Sequence, residues 1–350
     1  MRRIFLDDPY VPGSAAKLRP AFPTPTSTVL TVTVVICAHA GSGWIDLNAA
    51  IASAARQPEA REVIVVVDHD DALLRRTSER WGSLTTVVSN VGPRGLAGAR
   101  NTALGIASGD VIAFLDDDAA AEPGWLAQML THYSDDKVVA VGGSARPVWP
   151  TPVAPVRLPP ELLCAVGCTW VYSPAEQAAL SSVVDCSVSF RRSALIAVGG
   201  FADGRSTSTL VSRRADELAV WSRLRASDPR SQVVFEPSSR VTHRVDGDGM
   251  RWSRLASSFF AVGMTRSALL DRAVYGGALR FEGRFVAVML PRAMGRELLA
   301  GHPTAALSIV VAVVCGAVGF GWGAVRRMRA DVSSRAATAD TELHSSRSAG

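Results

Sequence analysis

Residues Val111–Ala119, VIAFLDDDA, join an apolar run to three consecutive carboxylates, Asp116, Asp117 and Asp118. A buried strand that delivers acids at its carboxyl end is how an open α/β sheet builds a metal-and-phosphate site. Small divalent cations bind oxygen, commonly through one or two carboxylates plus substrate phosphates. The same triplet also suits a solvated turn leading into the helix that starts near Pro123. Its surroundings have to decide between the two.

Those surroundings alternate. Val29–Cys37 and Glu62–Val67 are β-branched runs suited to strands buried on both faces, and Thr85–Ser89 reads as a shorter one. Helical spacing fills the gaps over Trp44–Arg56, Ala72–Trp81 and Gly98–Ser108, and resumes over Pro123–Tyr133 before a strand at Val138–Val141. Strand–helix alternation predicts a doubly wound, mostly parallel α/β sheet, with its ligand off the carboxyl ends of the strands. Those ends carry Cys37, Ala38 and His39, then Asp68, then the three aspartates, so polar groups converge on one edge. Seven prolines between Pro147 and Pro174 break the rhythm and suggest an irregular lobe. A helix from Phe190, a polar loop over Gly204–Arg214, a helix through Ala215–Arg225, a strand at Val233–His243 and a helix at Trp252–Asp271 are expected after it.

The chain of 350 residues is 48% hydrophobic, and one region accounts for the excess. No charge occurs from Thr304 to Val325, about the length of a membrane-spanning helix, and Arg326, Arg327 and Arg329 follow at once. A buried core helix is the competing reading, because glycine and alanine are frequent there. Arginines precede the segment too (Arg284, Arg292, Arg296), so charge bias does not assign a side. The net charge of +5 comes from dispersed arginines without a basic block, which argues against nucleic acid and for an anionic membrane or lipid. Five cysteines form no CxxC pair, so neither a zinc site nor a disulfide framework is expected. Residues 1–27 read as a loosely ordered Pro-rich arm, not a signal peptide, and residues 326–350 as a basic, then polar, disordered tail.

Two glycine-based phosphate motifs are excluded. GPRGLAGAR has the wrong spacing for GxGxxG and follows the third strand, and GxxxxGK[ST] is missing. A phosphate site here must use side chains and a metal.

Taken in order, VVICAHA, EVIVVVD, GLAGARNTALGIASGD, FLDDDA and SFRRSALIAVGGF resemble a family 2 glycosyltransferase with the GT-A nucleotide-sugar fold. ARPVWP, LPPELLCAVGCTW, ADELAVWSRL and SSRVTHRV resemble its membrane-associated branch, which transfers sugars such as glucuronic acid to glucosyl-dolichyl or polyprenyl phosphates. The resemblance implies that Asp68 accepts a hydrogen bond from the nucleotide base, where a helix N-cap is the alternative. It places Cys37 and Ala38 along the base pocket and Arg100 toward nucleotide or phosphate, against a plain surface arginine. It makes Asp116 and Asp118 the outer members of a DxD motif, with Asp117 between them, and His243 a metal or diphosphate ligand instead of a packed histidine. Mn2+ or Mg2+ would stabilise the leaving nucleoside diphosphate as a Lewis acid. Glu217, with Asp216 as neighbour or substitute, is the implied general base, the alternative being favourable charge at a helix N-terminus.

The expected organisation is a glycosyltransferase domain over 28–250, a helical membrane-proximal region over 251–303 and a membrane-embedded helix over 304–325. The expected activity is metal-dependent, inverting transfer from a nucleotide sugar, with UDP-sugars foremost, to a lipid-linked or other glycan acceptor. The catalytic domain is placed on the cytoplasmic side of the cell membrane. Two other classes remain in view. A sugar-nucleotide pyrophosphorylase needs a Gly-rich loop with basic residues after the first strand, and AHAGSGWID has Gly41 and Gly43 but no Lys or Arg. A catalytically inactive binding module would have little use for Asp68, the aspartate triplet and an acidic pair.

Overall fold

The structure, a computed structural model, describes residues 30–149, 157–169, 186–201, 219–220, 223–245, 251–269 and 283–347. For 265–266, 268–269 and 329–347 it describes the backbone alone. Two compact units divide the chain: Met1–Ala154 with Val166–Gly247, and Pro155–Ala165 with Asp248–Gly350.

The first unit is built on one mixed sheet. In chain order its elements are β1 (Val32–His39), α1 (Trp44–Ala55), β2 (Ala60–Asp68), α2 (Asp71–Trp81), β3 (Thr86–Ser89) and α3 (Leu96–Ile106). There follow β4 (Val111–Asp116), β5 (Ala119–Ala121), α4 (Trp125–Leu130), β6 (Val138–Val148), β7 (Ser187–Arg191), α5 (Arg192–Ala197) and β8 (Gln232–Arg244). The strand order is β3-β2-β1-β4-β7-β6-β8-β5. The first four strands of that order run parallel, as the alternation predicts. β7 is antiparallel to both β4 and β6, and β5 is antiparallel to β8.

Period-two alternation explains why both faces are apolar. Val34 and Ile36 face α1, Trp81 of α2 and α4, whereas Val35 faces the α3 side with Ala99, Ala103 and Leu104. On that second face Phe114 meets Phe190 and Phe201 edge-on, with centroids 6.0 and 5.3 Å away. Truncating such a fully buried ring costs about 3–5 kcal/mol.

Two strands escape the sequence reading. A helix is expected from Phe190, yet that residue lies in β7, where Ser187 and Ser189 alternate with Val188 and Phe190, and the helix begins only at Arg192. The buried serines are satisfied: Trp125 Nε1 donates to Ser187 Oγ, and the Ser189 hydroxyl pairs with that of Tyr133, both at 2.9 Å. β5 is three alanines, without strand propensity, and exists because β8 pairs with it.

The second unit is helical, with α6 (Trp252–Leu269), a π-turn at Phe285–Met289, α7 (Leu290–Leu299) and α8 (Pro303–Arg347). Within α8, Pro303–Met328 is long and apolar enough to cross a membrane by length and composition, with mean hydropathy 2.2. α6 packs on it through glycines. A methyl group on Gly263 would fall on the Gly316 carbonyl, and one on Gly319 on the Phe260 carbonyl. α8 continues to Arg347. No proline or glycine interrupts the chain between Val325 and Arg347.

Candidate active site

The register of the sheet assembles the polar edge. β1 lies between β2 and β4, so His39 stands opposite Asp68, and Cys37 opposite Asp116. After β4 the chain turns through Asp117 and Asp118 into β5, where Ala119 pairs with His243 of β8. That pairing makes the Arg244 N–H donate to the Asp118 carbonyl at 2.9 Å and brings His243 Nε2 to 3.2 Å from Asp118 Oδ1. Donor atoms of Asp116, Asp118 and His243 all lie within 4.8 Å of one another.

The site is electrostatically unsatisfied. Asp118 Oδ1 is buried without a hydrogen bond of good geometry, despite its contact with the imidazole. Asp117 is pushed up to about 6, first by burial and then by the Asp118 charge beside it. Burial works against charge on His243, but Asp118 and then Cys168 outweigh it and hold the imidazole up at about 11. Two carboxylates and an imidazole around an orphaned oxygen are a donor set that fits Mn2+ or Mg2+. A cation there would take over the role of the imidazolium proton.

Asp68 is different. Its Oδ1 accepts from Asn90 Nδ2 at 2.6 Å and lies 2.8 Å from His69 Nδ1, while Oδ2 accepts from the Gly95 N–H at 2.9 Å. Burial alone would raise its pKa, and these bonds from Asn90, His69 and Gly95 hold it below the usual carboxylate range. The alternative of an N-cap is corrected: Asp70 caps α2, accepting from the Leu73 N–H at 2.9 Å. His69, next to it, has φ +53°, a conformation uncommon outside glycine.

The remaining predicted residues divide. Ala38 is buried, and the half-buried Cys37 thiol is pushed up to about 12 by burial, against the pull of Arg100, so it stays neutral. Arg100 is not a surface residue. It is 2% exposed, with its guanidinium carbon 5.1 Å from the ring centroids of both Phe114 and Phe201. Asp216, Glu217 and the Gly204–Arg214 loop lie outside the described residues.

Two neighbours of the site, Ser42 and Asp46, carried no signal in the sequence. Ser42 Oγ donates to Asp117 Oδ2, and His39 Nδ1 lies 2.9 Å from the same hydroxyl. Arg244 forms an ion pair with Asp46 at the start of α1. These contacts stitch the β1–α1 loop to the aspartate turn and to the end of β8. A loop has no periodicity from which such pairings could be read.

Residues 33–158 match the sequence profile of glycosyl transferase family 2. Those residues form a family 2 glycosyltransferase domain. The chain is 27% identical, over 218 residues, to the glucosyl-dolichyl phosphate glucuronosyltransferase of Haloferax volcanii, spanning 61% of this chain and 69% of that one. Its structure resembles the mannosyltransferase PcManGT from Pyrobaculum calidifontis, solved in complex with GDP-Man and Mn2+, with a TM-score of 0.57 at 19% identity. That likeness covers 86% of this chain and 90% of the other, and it shows a shared GT-A fold.

Proposed function

We propose that this glycosyltransferase moves a sugar from a nucleotide-sugar donor, foremost a UDP-sugar, to a polyprenyl-linked acceptor at the cytoplasmic face of the cell membrane, with inversion and with Mn2+ or Mg2+. The juxtaposition of Asp116, Asp118 and His243 at the carboxyl edge of the sheet carries this reading. Bound to these three side chains, the metal would supply Lewis-acid stabilisation to the departing nucleoside diphosphate.

The chain's own residues take the other roles. Asp68, at the end of β2, offers its carboxylate to the nucleotide base, with Cys37 and Ala38 lining the pocket beside it. Asp116 also faces the ribose, and Asp117 holds the loop after β1 through Ser42. Arg100, stacked below between two rings, contributes fixed positive charge near the diphosphate. Glu217, assisted by Asp216, takes the acceptor proton. When the acceptor is a lipid phosphate, whose second pKa is about 6, the nucleophile is already ionised and that base matters less.

The relative from Haloferax volcanii is named for transfer onto glucosyl-dolichyl phosphate, which supports a lipid-linked acceptor. The apolar stretch of α8 supports a membrane location. The test is a panel of nucleotide sugars incubated with membrane lipid extract, with and without Mn2+. Metal-dependent transfer by the wild type, lost in Asp118→Ala, is expected. No turnover by the wild type, or unchanged turnover in the variant, would sink the mechanism. Retention in carbonate-washed membranes should disappear on deleting 304–329, and persistence there would refute the membrane assignment.

A further inference from the structure

His243 has a second partner, Cys168. Cys168 is fully buried, and its Sγ lies 3.9 Å from His243 Nδ1, on the side of the ring away from Asp118. The same Sγ donates to the Val166 carbonyl at 3.7 Å, which leaves its lone pairs to face the imidazole. Gly167 between them has φ +74°, and a methyl group there would stand 3.0 Å from His243 Cε1. That turn is itself fixed. Cys186 Sγ donates to the Gly167 carbonyl at 3.6 Å, and Thr169 exchanges two 2.9 Å bonds with Ala145 of β6.

We propose that Cys168 is a positioning residue for the metal centre: its sulfur accepts the Nδ1–H of His243 and so leaves Nε2, on the side facing Asp118, to ligate the metal. The inference rests on the reading of Asp116, Asp118 and His243 as ligands. A histidine ligand presents one ring nitrogen only if the other is held by an acceptor, and removal of that acceptor typically weakens metal binding 10- to 100-fold. Here the acceptor is a thiol, delivered by a glycine turn that packs against the ring.

Mn2+ binding to the full chain in detergent, followed by the paramagnetic resonance of the free ion, tests the assignment. Cys168→Ala should raise the Mn2+ dissociation constant about tenfold. Cys168→Ser, whose hydroxyl can accept the same N–H, should stay within about threefold of the wild type. Cys164→Ala, at a thiol outside the site, should match the wild type. If Cys168→Ala does not fold, Cys168→Val replaces it, filling the volume without an acceptor, and the same tenfold loss is expected. Histidine 15N spectra with Mg2+ should show the Nδ1–H form of His243 in the wild type and mixed tautomers in the Ala or Val variant. Wild-type affinity in the Ala or Val variant, or an equal loss in Cys168→Ser, overturns the positioning role. Failure of the ligand reading looks different, because then the wild type binds no Mn2+ or Asp118→Ala binds it equally well.

Discussion

The two ends of the parallel strands treat the same chemical group in opposite ways. At the amino end, Glu62 Oε1 accepts from Thr33 Oγ1, from the Ser108 N–H and from Ser108 Oγ, at 2.5, 2.7 and 2.9 Å. Asp110 accepts from the Thr31 N–H and hydroxyl at 2.9 and 2.8 Å. For Glu62 these bonds outweigh burial, and for Asp110 the Thr31 N–H is the largest influence; both pKa values are lowered. At the carboxyl end, Asp117 is pushed up by burial and by Asp118, and Asp118 Oδ1 has no hydrogen bond. Carboxylates at the first end are saturated by hydrogen bonds, whereas at the second Asp118 keeps a buried oxygen that lacks one among the described residues. A fold retains unsatisfied buried polar groups only where something else uses them. Asp68 sits between the two cases, at the carboxyl end by position but bonded like the amino-end acids.

The sharpest separation should come from Asp118→Ala. Transfer is expected to fall about a thousandfold, the equivalent of several kcal/mol of lost charge stabilisation. Metal-free stability should change by less than about 1 kcal/mol, since the lost partner is one ion pair with a half-exposed carboxylate. Chemical denaturation in EDTA and an assay in Mn2+ measure the two halves. A large loss of metal-free stability would erase the contrast between the two ends.

Asp68→Ala should do both kinds of damage. It leaves the Gly95 N–H and the Asn90 amide without their acceptor, at about 1–3 kcal/mol. It also removes the proposed base contact, so the donor KM should rise by about tenfold, the lower range for a lost hydrogen bond to a charged group. Unchanged KM in a destabilised protein would make Asp68 a purely structural acid.

Glu62→Gln is the smallest perturbation, expected to cost about 1 kcal/mol because the group is partly solvated, with kcat per folded molecule intact. Its pH signature is distinctive. A carboxylate whose folded pKa is depressed contributes stability above its unfolded pKa, near 4, and loses it as pH falls through the lower folded value. Wild-type stability should therefore decline below about pH 4, and Glu62→Gln should flatten that decline. An identical slope in both proteins would remove Glu62 from the amino-end set.

How far this arrangement could be read from the sequence differs along the chain. Val34, Ile36 and Val63–Val67 announce strands by β-branching, but the register that joins His39 to Asp68 is set only by the pairing of β1 with β2. The aspartate triplet and His243 stood out as candidate site residues, and the sheet brings Asp116, Asp118 and His243 together. β5 was not legible, because Ala119–Ala121 form a strand only through long-range pairing with β8. Neither was Cys168, whose contact with His243 spans 75 residues and depends on the left-handed turn at Gly167. β7 could have been found, since Ser187 and Ser189 alternate with two apolar residues, but buried serines resemble a loop until their partners on Trp125 and Tyr133 are known.

The most direct test of the metal-centred account is the rate of sugar transfer by EDTA-stripped wild-type protein as Mn2+ is restored. No transfer without metal, and a saturable recovery that Asp118→Ala does not show, is the predicted result. Full transfer by the stripped enzyme, unchanged on adding Mn2+, would contradict the assignment of Asp116, Asp118 and His243.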